Sequence, residues 1–246
     1  MMMVQALRAA LVISLALTGL LLFQAARAAG FQVSPVRVDL SPEQSSSALT
    51  VRNDGDEPVI VQAQTMRWSQ VGGRDHYETT TDILATPPIF TIKPGSTQIL
   101  RVGVLRPPNS ETELSYRLYL QEVPARPRPG FQGLQVALRL GIPVFARNRT
   151  RSSPDLSWKI EQLDGERVRV QLTNEGVAHV QVTDFSLVLP DGKGPVAAQQ
   201  VSAYVLPMQQ REWVLATTQA INTARIRIRA YTDVGKIDAD VNVEKK

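Results

Sequence analysis

From Phe31 onward the chain is built of short runs in which apolar and polar residues alternate, broken by Pro, Gly, Asn and Asp. Alternation with a period of two is the mark of a half-buried strand. The pattern predicts strands over Phe31–Leu40, Ala48–Arg52, Pro58–Trp68, Ile89–Ile92, Thr97–Val104, Glu113–Val123 and Leu134–Arg147. Turn signals separate them at Asn53-Asp54-Gly55, Gly72-Gly73, Pro94-Gly95 and Pro107-Pro108-Asn109. No stretch combines a 3.6-residue apolar period with helix caps.

A polar stretch, Asn148 to Pro154, has the composition of a linker. A second series follows: Leu156–Leu163, Arg167–Thr173, Val177–Leu189, Val196–Val205, Gln210–Ala216, Thr223–Tyr231 and Asp238–Val243. Strand count and spacing in both series are those of an immunoglobulin-like sandwich. The expected fold is all-β, with two such domains over residues 29–148 and 149–246.

One run stands apart. Leu134, Val136, Leu138, Leu140, Ile142 and Val144 place a large aliphatic at every second position. All six project to one face, although a whole strand is typically about 5–6 residues long. Either the six fill this domain's own core, or the leading ones exceed what one small core can use. In the second case they face an open groove and complete another protein.

Composition narrows the setting. Arg8 precedes an uncharged apolar run, Ala9 to Phe23, and then Ala26-Arg27-Ala28. That is the pattern of a secretory signal peptide, residues 1–28, cleaved near Ala28. The apolar run is shorter than the ~20 residues of a membrane span, and no later segment is apolar enough, so no span is expected in the mature chain. The net charge is +4, and losing Arg8 and Arg27 brings it to +2. The basic residues are dispersed and not interleaved with aromatics, which argues against a nucleic-acid partner. Cysteine is absent, which removes thiol chemistry and thiolate zinc sites.

Candidate chemistry is sparse. There are two histidines, His76 in the turn-rich Arg74–Tyr77 and His179 within a strand pattern. A nucleophile relay needs a base beside Ser or Cys, and a zinc site needs three or four clustered ligands. The chain carries no nucleophile elbow, phosphate loop or dinucleotide fingerprint. We therefore expect no catalytic residues, no metal and no cofactor. Asn148-Arg149-Thr150 has the form of a glycosylation sequon by chance. An exported tandem sandwich could instead be an adhesin or glycan-binding module. Such a module would display loop aromatics or clustered carboxylates, whereas Trp68, Trp158 and Trp213 fall in strand patterns and read as core.

Several segments resemble the chaperones of chaperone–usher pilus systems. Ala85-Thr86-Pro87-Pro88 with Ile92-Lys93-Pro94-Gly95, then Gln98–Val102, is similar to one of that family's blocks. Leu118–Pro124 is similar to its L-x-L-x-E-[IV]-P strand end, Leu134–Leu138 to the start of its donor strand, and Phe31–Val38 to its first strand. The second half matches more loosely, through the turns at Asn174 and Leu206-Pro207 and through Tyr231-Thr232-Asp233.

The resemblance implies two sandwiches in a boomerang, periplasmic location and no nucleotide. The last strand of the first domain is lent to a pilus subunit that lacks one, and an outer-membrane usher then takes the subunit. On this basis Leu134, Val136, Leu138 and Leu140 are the expected plugs. Arg37 matches one of two basic residues that anchor the subunit's terminal carboxylate. The second basic position of the better-known branch holds Pro143 here, leaving Arg117 and, less favoured, Arg139 as substitutes. Glu122, Arg147 and Asp233 match a charged interdomain triad. Pro143 and the short Pro124–Gly130 connection resemble the archaic branch.

Overall fold

The computed structural model describes residues 30–105, 110–124, 134, 136–147, 152–190, 192 and 194–245. The expected signal peptide, the sequon and most of the Pro124–Gly130 connection lie outside the described residues. All regular structure among the described residues is β.

The first sandwich contains β1 (Phe31–Ser34), β2 (Val38–Leu40), β3 (Ser46–Asn53), β4 (Val59–Val71), β5 (Arg74–Thr79), β6 (Ile83–Thr86), β7 (Ile89–Ile92), β8 (Thr97–Val104), β9 (Leu114–Glu122) and β10 (Arg139–Ala146). One sheet runs β1-β3-β8-β6 and the other β2-β10-β9-β4-β5, with β7 also on β4. Leu49, Val51, Leu100 and Val102 of the first sheet meet Val61, Leu118, Leu120, Ile142 and Val144 of the second in one core. The alternation read from the sequence is this inward face.

Three expectations are corrected here. The single strand Phe31–Leu40 is two, because the chain crosses between sheets at Ser34–Arg37 and pairs first with β3 and then with β10. Arg74–Tyr77 is strand rather than turn. β5 forms a hairpin with β4 across Gly72 and Gly73, whose φ angles are +57° and +75°. Its sequence is polar because both faces are mostly exposed, so the apolar period is missing. The run Leu134–Arg147 enters regular pairing only at Arg139.

The second sandwich contains β11 (Leu156–Gln162), β12 (Arg167–Asn174), β13 (Val180–Val188), β14 (Pro195–Val205), β15 (Gln209–Ala216), β16 (Arg225–Thr232) and β17 (Gly235–Lys245). The seven predicted runs correspond to these seven strands. They form one sheet, β14-β13-β16-β17-β11-β12-β15. Ile160, Val170 and Leu172 from one end and Val182, Phe185, Leu187, Ile226 and Ile228 from the other share a core, so the sheet folds over on itself. Trp158 and Trp213 pack against this core, whereas Trp68 lies in a separate cluster at the junction of the sandwiches.

The same turn device occurs in both sandwiches. Asn53 and Asn174 are fully buried. Each accepts the N–H of the glycine two residues on, Gly55 at 2.8 Å and Gly176 at 3.0 Å. Each also donates its amide to carbonyls of neighbouring segments, Asn53 to Ile92 and Asn174 to Val205. A short polar side chain bonded to its own turn satisfies backbone that burial would otherwise leave unpaired.

Candidate functional site: an open strand edge and a basic cleft

β10 is paired on one side only for most of its length. Its ladder with β9 runs from Arg139 opposite Gln121 to Ala146 opposite Leu114. On the other side β2 joins it in parallel only from Val144 to Ala146. Among the described residues, Arg139–Pro143 therefore presents an unpaired edge. Pro143, which has no N–H to give a ladder, sits just before β2 begins, the kind of edge position a strand proline tolerates.

The aliphatic row grades out of the core along this edge. Ile142 and Val144 are 4% and 0% exposed, while Val136 and Leu134 are 75% and 87% exposed. Leu138 and Leu140 lie between, partly buried against the core. Of the two readings of the row, the first sandwich thus uses two positions fully and two in part. Leu134 and Val136 cover nothing of it.

Glu122 stands at the start of this segment. Its N–H donates to the Leu138 carbonyl at 2.8 Å, and its carboxylate accepts the Leu138 N–H at 3.2 Å. The structure does not bring it to Arg147. Antiparallel register puts Glu122 and Arg147 at opposite ends of the β9–β10 ladder, roughly 31 Å apart at ~3.4 Å per residue. The carboxylate that faces Arg147 is Glu113, with Oε2 3.8 Å from Nε. Glu113 Oε1 also lies 2.6 Å from His179 Nδ1 and accepts the His179 N–H at 3.2 Å. Sequence reasoning missed both. Glu113 looked like the first residue of a strand, and His179 like one more alternating position.

Arg37 lies between β1 and β2 and reaches the second sandwich. Its Nη1 donates to Asp233 Oδ2 at 2.8 Å and its Nε to Asp39 Oδ2 at 3.1 Å. Burial works against the charged guanidinium, but the two carboxylates more than offset it and hold the proton more firmly than usual. Asp233, in the β16–β17 turn, also accepts the Gln181 N–H at 2.8 Å and lies 3.7 Å from His179 Nε2. Arg147 Nη2 is 3.6 Å from Asp39. Arg147 and Asp233 thus belong to one charged belt, with Asp39, Arg37, Glu113 and His179 as the other members.

Apolar contacts close the junction. Trp68, Phe145 and Leu206 form a buried cluster with Tyr77 and Tyr204 against it. The His179 ring stacks on Phe145 with centroids 3.5 Å apart. Gln70 is buried and spans the two sandwiches, donating to the Tyr204 carbonyl at 3.0 Å and accepting the Leu206 N–H at 3.0 Å. Asp75 accepts from Trp68, Gln70 and, at 2.7 Å, from Arg211 of the second sandwich.

The remaining candidate cations lie on the outer face of the same sheet. The Arg117 guanidinium stacks on Trp68, 4.1 Å from the ring centroid, and that of Arg139 on Tyr119 at 4.0 Å. Gly141 makes room for Arg117 and for the Tyr119 ring, since a Cβ there would stand 3.1 Å from Tyr119 Cε1 and 3.4 Å from Arg117 Cδ. Tyr204 links Arg117 to Arg37. Burial raises its phenol above the ordinary value of 10.0, and both guanidiniums pull the other way. Arg117 stacks on Trp68, whose ring meets Tyr204 edge-on at 5.5 Å, and both Arg37 and Arg117 act on that tyrosine; Arg139 is further along β10.

Residues 30–150 match the family model for pili and flagellar-assembly chaperones, PapD N-terminal domain. This first sandwich places the chain in the pilus-assembly chaperone family. No curated protein sequence matches the chain. Among solved structures, the chaperone resembles a chain of the CsuC–CsuE chaperone–tip adhesion subunit pre-assembly complex from archaic chaperone–usher Csu pili of Acinetobacter baumannii. Identity is 21%, coverage 88% of this chain and 99% of that one, and the TM-score 0.64. The CupB2 chaperone of Pseudomonas aeruginosa is 22% identical over 86% of this chain and 100% of its own, with a TM-score of 0.58. A chain of the complex of the Salmonella enterica SafA pilin with the SafB chaperone is 16% identical, with 87% and 98% covered and a TM-score of 0.61. These likenesses identify the fold of the chaperone as two immunoglobulin-like sandwiches in the boomerang arrangement.

Proposed function

We propose that this chain is a periplasmic chaperone that captures pilus subunits on the open edge of β10 and delivers them to an outer-membrane usher. The carrying observation is the coincidence of that edge with an aliphatic row its own core does not use. A subunit sandwich lacking a strand offers the complementary surface: a groove for side chains and a bare strand for the backbone. Leu134 and Val136 then act as plugs that cost the free chaperone no core. Leu138 and Leu140 are shared between the two proteins. Each aliphatic side chain taken fully from water contributes roughly 1.5–3 kcal/mol.

In this reading Arg37 grips the subunit's terminal carboxylate and so sets register. Arg117 is the second anchor, because through Trp68 it lies beside Tyr204, on which Arg37 also acts. Arg139 borders the edge further from that point. The side-chain distances support Glu113, Arg147 and Asp233 as the interdomain charges in place of the set containing Glu122. Residues 1–28 are an export signal removed near Ala28, followed by domains at 29–148 and 149–246. The 21% likeness to the archaic Csu complex supports the archaic branch. The chaperone acts by binding alone, without cofactor or catalysis.

The test is capture from periplasm of the source cell with the mature chain and its Val136→Asp variant as baits. Wild type should recover a small β-rich protein together with its usher, and Val136→Asp should not. Recovery of glycan, or equal recovery by both baits, overturns the reading.

A further inference from the structure

Two nitrogens of the Arg37 guanidinium are already engaged. Asp233, from the other sandwich, takes Nη1 at 2.8 Å, and Asp39 takes Nε at 3.1 Å. An arginine grips a carboxylate best along one edge with two parallel N–H donors. A partner carboxylate arriving in the cleft competes for donors that Asp233 holds, and meets its negative charge. Asp233 is not stranded when it yields. It keeps the Gln181 N–H at 2.8 Å, and His179 Nε2 is 3.7 Å away. The Arg37–Asp233 pair is also one of the side-chain ties across the junction among the described residues, alongside Asp75–Arg211 and Glu113–His179.

We infer that Asp233 is an internal ligand of the Arg37 anchor, exchanged for the partner's terminal carboxylate, so that capture releases one of the ties between the two sandwiches. This rests on the reading of Arg37 as the carboxylate anchor. Because the two events share one guanidinium, the coupling is reciprocal: loosening the tie favours capture as much as capture loosens the tie. The free chaperone is thereby held with its anchor masked, and a neutral chain end offers no charge to replace the one Asp233 supplies.

The probe is a synthetic peptide with valine at every second position and a free C-terminal carboxylate, alongside the same peptide amidated. The chain has no cysteine, so fluorophores attach only at cysteines introduced at the exposed Lys93 and Gln219. Wild type should bind the free acid more tightly than the amide, and the free acid alone should change the interdomain distance. Asp233→Asn should bind the free acid about two- to fivefold more tightly than wild type, the value of a partly exposed ion pair. It should show no further distance change on binding. If wild type separates acid from amide but Asp233→Asn binds the acid no better, the exchange is wrong and the anchor stands. If Arg37→Gln binds both peptides as wild type does, the anchor reading falls and the exchange with it. Should Asp233→Asn fold poorly, the wild-type distance measurement decides alone: no change with the free acid overturns the proposal.

Discussion

Glu113 and His179 meet across the junction of the two sandwiches, Oε1 to Nδ1 at 2.6 Å, and their side chains are 0% and 8% exposed. The same carboxylate oxygen accepts the His179 backbone N–H, and the ring lies flat on Phe145. This pair ties the start of β9 to the start of β13. Replacing Glu113 by Ala takes away the partner of both the buried His179 Nδ1 and the His179 backbone N–H. The expected loss is about 1.5–3 kcal/mol of unfolding free energy, the worth of a hydrogen bond to a charged group. Chemical denaturation of Glu113→Ala, His179→Ala and the double variant checks it. The two losses should be far from additive, because the residues share one interaction.

The second pair at the junction gives a pH dependence. Burial would raise the Asp75 carboxyl, but hydrogen bonds from Gln70, Arg211 and Trp68 outweigh it and hold it below the ordinary 3.8. A carboxyl depressed on folding contributes stability that is complete above its unfolded value and lost as pH falls through the folded one. The junction should therefore weaken in acid, below about pH 4. Unfolding midpoints measured from neutral pH downward should fall less steeply for Asp75→Asn than for wild type. Equal slopes would mean that Asp75 has no part in acid loosening.

Position along the aliphatic row separates folding from capture. Leu134→Ser and Val136→Ser remove exposed side chains, so stability should stay within about 0.5 kcal/mol of wild type. Ile142→Ala and Val144→Ala open the core and should cost about 2–4 kcal/mol. Leu138 packs partly against the core and should lower both stability and subunit capture. Urea titrations of these variants, run beside the capture assay, distinguish lent residues from those the chaperone keeps. A destabilised Val136→Ser would assign that residue to the chaperone's own core.

The same row shows what sequence can and cannot carry. Alternation identified every strand of the second sandwich and the six-residue aliphatic row that runs into β10, because one-sided burial writes itself as a period of two. It could not say where along β10 the core ends. That is set by the neighbouring strand, and β2 covers only Val144–Ala146. Nor could it resolve Phe31–Leu40 into β1 and β2, since both halves keep an inward face. β5 escaped because it is polar on both faces, and the short β6 was missed as well. The charged belt was hardest to read. Arg37, Arg147 and Asp233 do lie at the junction, but the glutamate at the end of Leu118–Glu122 sits a whole strand length from Arg147. Its replacement, Glu113, is paired with a residue 66 positions away. Such pairing follows from how two sandwiches meet, and local pattern contains no trace of it.

Gly141 offers a last test, of the outer face of β10. With no Cβ it lets Tyr119 and Arg117 lie across the strand, Arg139 on the first ring and Arg117 on Trp68. A methyl group there would press on Tyr119 Cε1 at 3.1 Å and Arg117 Cδ at 3.4 Å. Both neighbours are side chains that can swing away, so Gly141→Ala should cost no more than about 1 kcal/mol in stability. Swinging away lifts Arg117 from Trp68, and a cation–aromatic contact of this kind is worth about 0.5–1 kcal/mol. Arg117 then loses the position that Trp68 gives it. If Arg117 is the second anchor, Gly141→Ala should weaken binding of a free-carboxylate peptide several-fold and leave the amidated peptide unaffected. An equal effect on both peptides would mean that the methyl group blocks the strand edge itself and that Arg117 does not hold the carboxylate.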